Sequence, residues 1–106
     1  TASVLNKGAI VTSLSLTQNY PNPFNPSTTI NYNVDASGMV TLKVYDVMGR
    51  LVRTLVDGYK ISGYESGYSV VWDGKDQQGQ QVSAGLYIYS LQTPTGIKTK
   101  KMVLMK

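Results

Sequence analysis

Short runs of alternating apolar and polar residues, turn residues between them about every ten positions, and no stretch with an apolar stripe at helical spacing predict an all-β antiparallel sandwich. The centre of the chain shows the pattern best. Tyr68, Val70 and Trp72 alternate with Ser69, Val71 and Asp73, while Tyr87, Tyr89 and Leu91 share one face of the run Val82–Leu91. Side chains two apart on a strand point the same way, so one face can be buried and the other can meet solvent. The two runs flank a loop of Asp, Gly and Gln and read as one β-hairpin, with Trp72, the single tryptophan, as core anchor.

Taken in order, Thr1–Gly8 has the small and polar residues of a linker, and Ile10–Leu16 alternates well enough for a first strand. The segment Tyr20-Pro-Asn-Pro-Phe-Asn-Pro-Ser-Thr28 places three prolines in six residues; each removes an N–H and fixes φ, so no regular ladder can run through it. An extended, irregular path is expected there, with Tyr20–Pro21 able to be cis although trans is the favoured form, and Phe24 closing one end of the core. From Thr28 to Val34, Ile30, Tyr32 and Val34 fall on one face, and from Met39 to Tyr45, Val40, Leu42 and Val44 do. Asp46-Val-Met-Gly49 is a tight turn whose glycine can take positive φ. Arg50–Val56 returns as a strand in which Val52 and Leu55 break strict alternation, the mark of a bulge. Asp57–Gly67 reads as a loop, Thr93-Pro-Thr-Gly96 as the last turn and Ile97–Met105 as the last strand.

Composition narrows the function. At 106 residues the chain is one domain by length, able to bury roughly two-thirds of the surface its unfolded chain exposes. It has neither cysteine nor histidine, which excludes disulfides and removes the usual general base and the favoured zinc ligand. An enzyme is therefore not expected, and nothing calls for a cofactor. The formal net charge is +4, and Lys98, Lys100, Lys101 and Lys106 cluster at the end. A basic end suits an anionic partner, or is simply a solvated strand face. No aromatic-rich basic motif points to nucleic acid, and no apolar run is long enough to insert in a membrane. The first residues do not read as a leader, as expected for a lone cytosolic domain or for the tail of a longer exported protein.

Three groups of residues carry candidate chemistry. Asp73 and Asp76, with Gly74 and Gly79, have the composition of a turn; calcium is the weaker alternative, because the ligand order of a helix–loop–helix calcium site is missing. Tyr59, Tyr64 and Tyr68 could form a platform for stacking sugar rings, or could close the end of the sandwich. In Lys98-Thr-Lys-Lys-Met-Val-Leu-Met-Lys106, Met102 and Leu104 face one way and Val103 and Met105 the other, so apolar surface is left outside. At a sheet edge such a strand offers its unpaired N–H and C=O groups to another strand, although lysine there also discourages aggregation.

Five stretches in order, Tyr20-Pro-Asn-Pro-Phe-Asn-Pro-Ser-Thr28, Val44-Tyr-Asp-Val-Met-Gly-Arg50, Trp72-Asp-Gly-Lys-Asp-Gln-Gln-Gly79, Ser83-Ala-Gly-Leu-Tyr-Ile-Tyr89 and Lys101-Met-Val-Leu-Met-Lys106, resemble the C-terminal sorting domain of proteins exported by the bacterial type IX secretion system. The Ig-like domain of the flagellar hook-capping protein is a related look-alike, sharing the Trp-Asp-Gly and Gly-x-Tyr elements. The resemblance covers residues 16–106; residues 1–15 would be linker and possible first strand. It implies an immunoglobulin-like β-sandwich of about seven strands that serves as an address, passing through the periplasm and then to the cell surface or outside. The implied partners are an outer-membrane translocon, a sortase-type peptidase that removes the domain and joins the cargo to an anionic lipopolysaccharide, and a cargo domain upstream of Thr1. Carried over by position, recognition falls on Gly85, Tyr87, Lys101, Val103 and Lys106, and cleavage before Tyr20, near Gly8–Ala9. Lys106, one residue past Met-Val-Leu-Met, resembles a natural C-terminus. A carbohydrate-binding or structural Ig-like module appended to a secreted enzyme is the alternative.

Overall fold

A computed structural model of the chain describes residues 13–64 and 66–105. Within them the strands are β1 (Ser15–Leu16), β2 (Thr28–Asn33), β3 (Gly38–Tyr45), β4 (Leu51–Lys60), β5 (Tyr68–Trp72), β6 (Gly85–Thr93) and β7 (Gly96–Leu104). They form a three-stranded sheet in the order β1-β2-β5 and a four-stranded sheet in the order β4-β3-β6-β7, all pairs antiparallel. This is an immunoglobulin-like β-sandwich. Of the expected first strand only Ser15–Leu16 is seen; the rest of it, the linker and the cleavage region lie outside the described residues.

Alternation decides what the two sheets bury. Ile30, Tyr32 and Trp72 of the first sheet face Val40, Leu42, Val44, Tyr89, Leu91 and Met102 of the second, and all are buried. Phe24 plugs the end of this core, its ring 5.6 Å from Trp72, and Tyr87 meets Trp72 edge-on at 5.4 Å. The indole N–H donates to the Lys75 carbonyl at 2.9 Å, so the polar atom of the largest core side chain is satisfied.

Three features depart from expectation. Tyr68–Trp72 and the strand after it are not a hairpin: β5 pairs with β2, whereas β6 pairs with β3 and β7. The loop between them is long enough to cross from one sheet to the other, and it closes on itself through Lys75 and Gln81. Trp72 and Tyr87 therefore meet from opposite sheets. Secondly, β4 runs on through Gly58, Tyr59 and Lys60, read in the sequence as loop, because Gly38–Val40 supply a ladder for them. The expected bulge is there twice. Leu42 pairs with Val56 but Lys43 with Thr54, and Val44 pairs with Arg53 but Tyr45 with Leu51, which leaves Leu55 and Val52 as extra residues packed on the core. Thirdly, Tyr20–Pro21, Asn22–Pro23 and Asn25–Pro26 are all cis. The trans preference before proline is small, about 0.5–1 kcal/mol, so surrounding contacts decide.

The turn at Asp46–Gly49 forms as its residues demand, with Gly49 at φ +83° and Asp46 Oδ1 accepting from the N–H groups of Met48 and Arg50. The Arg50 N–H, above all, holds the Asp46 carboxyl below its ordinary pKa.

Phe24→Ala empties the closed end of the core and is expected to cost about 3–5 kcal/mol of unfolding free energy in urea denaturation. Val71→Ala, on the exposed face of β5, is expected to move stability by about 0.5 kcal/mol or less. Burial, with Tyr68 adding to it, pushes the pKa of Tyr32 from 10.0 to about 12. Since the folded state holds this proton more tightly than the unfolded chain, the stability it lends is whole below the unfolded pKa and is lost as pH rises through the folded one. Tyr32→Phe should therefore shrink the fall in melting temperature between about pH 9 and about pH 12; equal falls in both proteins would refute the linkage.

Candidate functional site

The last hairpin gathers most of the residues implicated by the resemblance. β6 and β7 pair without interruption from Gly85↔Leu104 to Thr93↔Gly96, joined by Pro94 and Thr95. Gly85 opens β6 at φ +146°, a conformation L side chains rarely adopt, although a Cβ there would meet no neighbouring atom. Its glycine is thus required by the backbone and not by crowding. Lys101 and Val103 lie on the outer face, opposite Ile88 and Leu86, and Tyr45 of β3 lies across from Ile88 on its other side. Val103 is 37% exposed and Met105 51%, so the outer face carries the apolar surface expected of it, with Lys101 beside it.

Tyr87 does not join them. Its ring is buried against Trp72, and its hydroxyl donates to the Ser83 carbonyl at 2.6 Å. Burial raises its pKa, and the charge of Asp46 adds to the shift. Beside it an open cavity of about 630 Å³ is lined by Asp46, Arg50, Gln77, Gln81 and Ser83. Lys106 lies outside the described residues. What sequence reasoning missed is the outer row of Leu86, Ile88 and Tyr45. The signal was present in Leu86-Tyr-Ile-Tyr89, where both alternating sets are apolar and hence both faces have something to cover.

β7 is an edge strand, but its last third is already occupied. The Val103 N–H donates to Asn22 Oδ1 at 3.0 Å, the Phe24 N–H to the Val103 carbonyl at 2.9 Å, and the Met105 N–H to the Phe24 carbonyl at 2.8 Å. Gln18 Nε2 donates to the Lys101 carbonyl at 2.6 Å. The proline segment is thus a clip laid along the terminal strand, running parallel to it at Phe24↔Leu104. Among the described residues the ion pairs are Arg50–Asp46 and Arg53–Asp73; Lys98, Lys100 and Lys101 take part in neither.

The remaining candidates are placed as follows. Asp73 Oδ1 accepts from the Lys75 N–H and from Arg53, and Asp76 Oδ1 from the N–H groups of Gln78 and Gln80. Both carboxylates serve their own loop, and no group of three or more metal-ligating side chains gathers among the described residues. Tyr68 stacks on Tyr32 at 5.4 Å and lies 5.1 Å from Tyr64; its hydroxyl takes the Ile61 N–H and donates to the Ile61 carbonyl. Tyr59 is on β4, opposite Met39.

Two antiparallel sheets of seven strands in all, packed around a buried tryptophan, define the class of Ig-like β-sandwich domains. Within that class the chain belongs to the FlgD Ig-like domain family, whose model matches residues 25–96. Among solved structures, the dimeric latent PorU of Porphyromonas gingivalis is similar at 24% identity and TM-score 0.67, the match covering 90% of this chain and 10% of that one. PorZ of the same organism, described as an essential bacterial surface component of the type IX secretion system, is similar at 21% identity and TM-score 0.57, covering 88% and 11%. The chain thus spans about a tenth of either protein, and the likeness is one of fold. Among curated proteins there is no match.

The two faces of β7 predict a clean separation. Met102→Ala, in the core, is expected to cost about 2–5 kcal/mol, and Val103→Ala, on the outer face, about 1 kcal/mol or less, both read from urea denaturation. Equal losses would mean that the outer face is covered in the folded chain.

Proposed function

We propose that this is a non-catalytic C-terminal sorting domain, the address of a larger exported bacterial protein, read by the type IX outer-membrane translocon and then removed by a sortase-type peptidase. The observation that carries the reading is the last hairpin: Lys101 and Val103, two of the residues that the resemblance marks for recognition, sit exposed on an edge strand held rigid by a buried inner face. A label must stay folded and keep its readable side outside, and this hairpin does both. The fold shared with PorZ, a type IX component, and the order of the five sequence stretches support the same reading. On it, the cargo precedes Thr1, the protein passes through the periplasm, and the domain ends at the cell surface or beyond. Tyr87 then acts through the core, by setting the hairpin against Trp72, and not by contact with the translocon.

The test is a passenger fused ahead of residues 1–106 in a type IX-competent bacterium. Wild-type fusion is expected at the surface or in the medium, and Lys101→Glu with Val103→Glu is expected to hold the passenger in the periplasm while the purified domain keeps its melting temperature within a few degrees. A passenger that never leaves the periplasm with the wild-type domain would sink the reading. Point changes are the right tool, because removing Lys101–Lys106 would also take Met102 and Leu104 out of the core.

A further inference from the structure

Of the four-stranded sheet's two outer strands, β4 is covered over part of its length by Gln77, whose N–H donates to the Val52 carbonyl at 3.1 Å and whose Oε1 accepts from the Thr54 N–H at 2.9 Å. Among the described residues, hydrogen bonds reach the outer edge of β7 only from the Lys101 carbonyl onward, from Gln18 and the proline clip. β1 lies near the strand, with Leu14 Cδ2 3.7 Å from where a Cβ on Gly96 would stand, but bonds to none of its backbone groups. Along an antiparallel strand, alternate residues turn both their N–H and C=O outward. The clip bonds to Lys101 and Val103, so the residues in phase with them, Thr99 and Ile97, also face out. Among the described residues nothing bonds to the backbone groups of Ile97 and Thr99 or to the Lys101 N–H.

The charges beside this stretch select what can dock. Lys98 and Lys100 are two apart and share a face; Lys101 lies on the other, and β7 has no acidic residue. A second copy pairing antiparallel about Thr99 would set Lys98 opposite Lys100 from both sides, and like charges directly opposite are destabilising. An incoming strand with carboxylates two residues apart would instead meet both lysines while completing the ladder. Ile97, 62% exposed, adds apolar contact on the outer face.

We infer that the open stretch Ile97–Lys101 of β7 is a docking edge for an extended acidic segment of the form acid-x-acid, which adds as a fifth strand to the four-stranded sheet. As the contact through which a translocon would read the domain, the inference rests on the sorting proposal; as a binding site it stands alone. The probe is a capped heptapeptide alternating Val and Glu, followed by amide hydrogen exchange on the 106-residue chain. At a peptide concentration near ten times its Kd, the amides of Ile97, Thr99 and Lys101 are expected to exchange about tenfold more slowly, an effect weakened by salt. The same peptide with Lys for Glu should give no protection. Thr99→Pro removes one outward N–H and spares the internal ladder, so it should abolish protection; Lys98→Glu with Lys100→Glu, which leaves the backbone untouched, should abolish it too. Protection elsewhere, none at all, or slow exchange of these amides in the free chain would overturn the inference. The export fusion separates the two proposals. Peptide protection with a wild-type passenger left in the periplasm would end the sorting reading and leave the edge standing, while export of the Thr99→Pro fusion at the wild-type level would end the edge's part in recognition.

Discussion

A segment that cannot ladder must have its backbone polar groups satisfied by something else, and the rest of this domain is arranged around how that is done. Residues 17–24 run from the three-stranded sheet to the edge of the four-stranded one. On the way the buried Tyr89 hydroxyl accepts from the Asn19 N–H at 2.9 Å and donates to the Thr17 carbonyl at 2.7 Å. The Asn19 side-chain amide donates to Thr28 Oγ1 and to the Pro21 carbonyl, and Thr28 Oγ1 donates to the same carbonyl. Every member of this buried knot has a partner, which is the condition under which a buried polar network stabilises at all. Leaving one such group unpaired costs about 1–3 kcal/mol, a large fraction of a small domain's stability. The segment then reaches β7 and hands its Phe24 backbone to the terminal strand. The first and last described parts of the chain are therefore bonded directly to each other.

The aromatic junction beneath it does the same for the hairpin. Trp72 comes from one sheet, Tyr87 from the other, and Phe24 from the clip, and the three rings meet within 5.6 Å of one another in succession. Aromatic pairs in tilted or edge-on geometry add about 0.5–1.5 kcal/mol beyond their burial. More important is where the restraint falls. β6 is fixed from below by Tyr87, Tyr89 and Leu91, so Leu86 and Ile88 above them are presented on a rigid element, with Lys101 and Val103 in register beside them. A surface held this way needs little ordering on contact, which would lower the entropic cost of any binding there.

How much of this could be read beforehand follows from what alternation encodes. Period-two patterning told which residues of each strand face inward, and Ile30, Tyr32, Val40, Leu42, Val44, Trp72, Tyr89 and Leu91 are all where it puts them. It carries no information on which sheet a strand joins. Tyr68–Trp72 and Gly85–Thr93 looked like partners because both bury one face, and only the length of the loop between them argued otherwise. Gly58 misled in the opposite sense: a glycine that usually ends a strand sits within β4, because Val40 across from it supplies the ladder. The clip was legible only as an obstacle. Its prolines forbade a strand, but the side-chain amides of Gln18 and Asn22 that tie it to β7 have no periodicity to betray them.

The clip and the lysines both oppose edge-to-edge pairing of a strand that carries apolar residues on both faces. Over its last third β7 is paired to the domain's own chain, and over the remainder three lysines within four residues oppose any copy of itself. Repulsion of that kind is selective and not absolute. It penalises a strand carrying positive charge and leaves a negative one free to form the same backbone bonds with added attraction. A charge pattern that opposes a second copy would therefore also filter what approaches the N–H and C=O groups of Ile97 and Thr99, to which nothing bonds among the described residues.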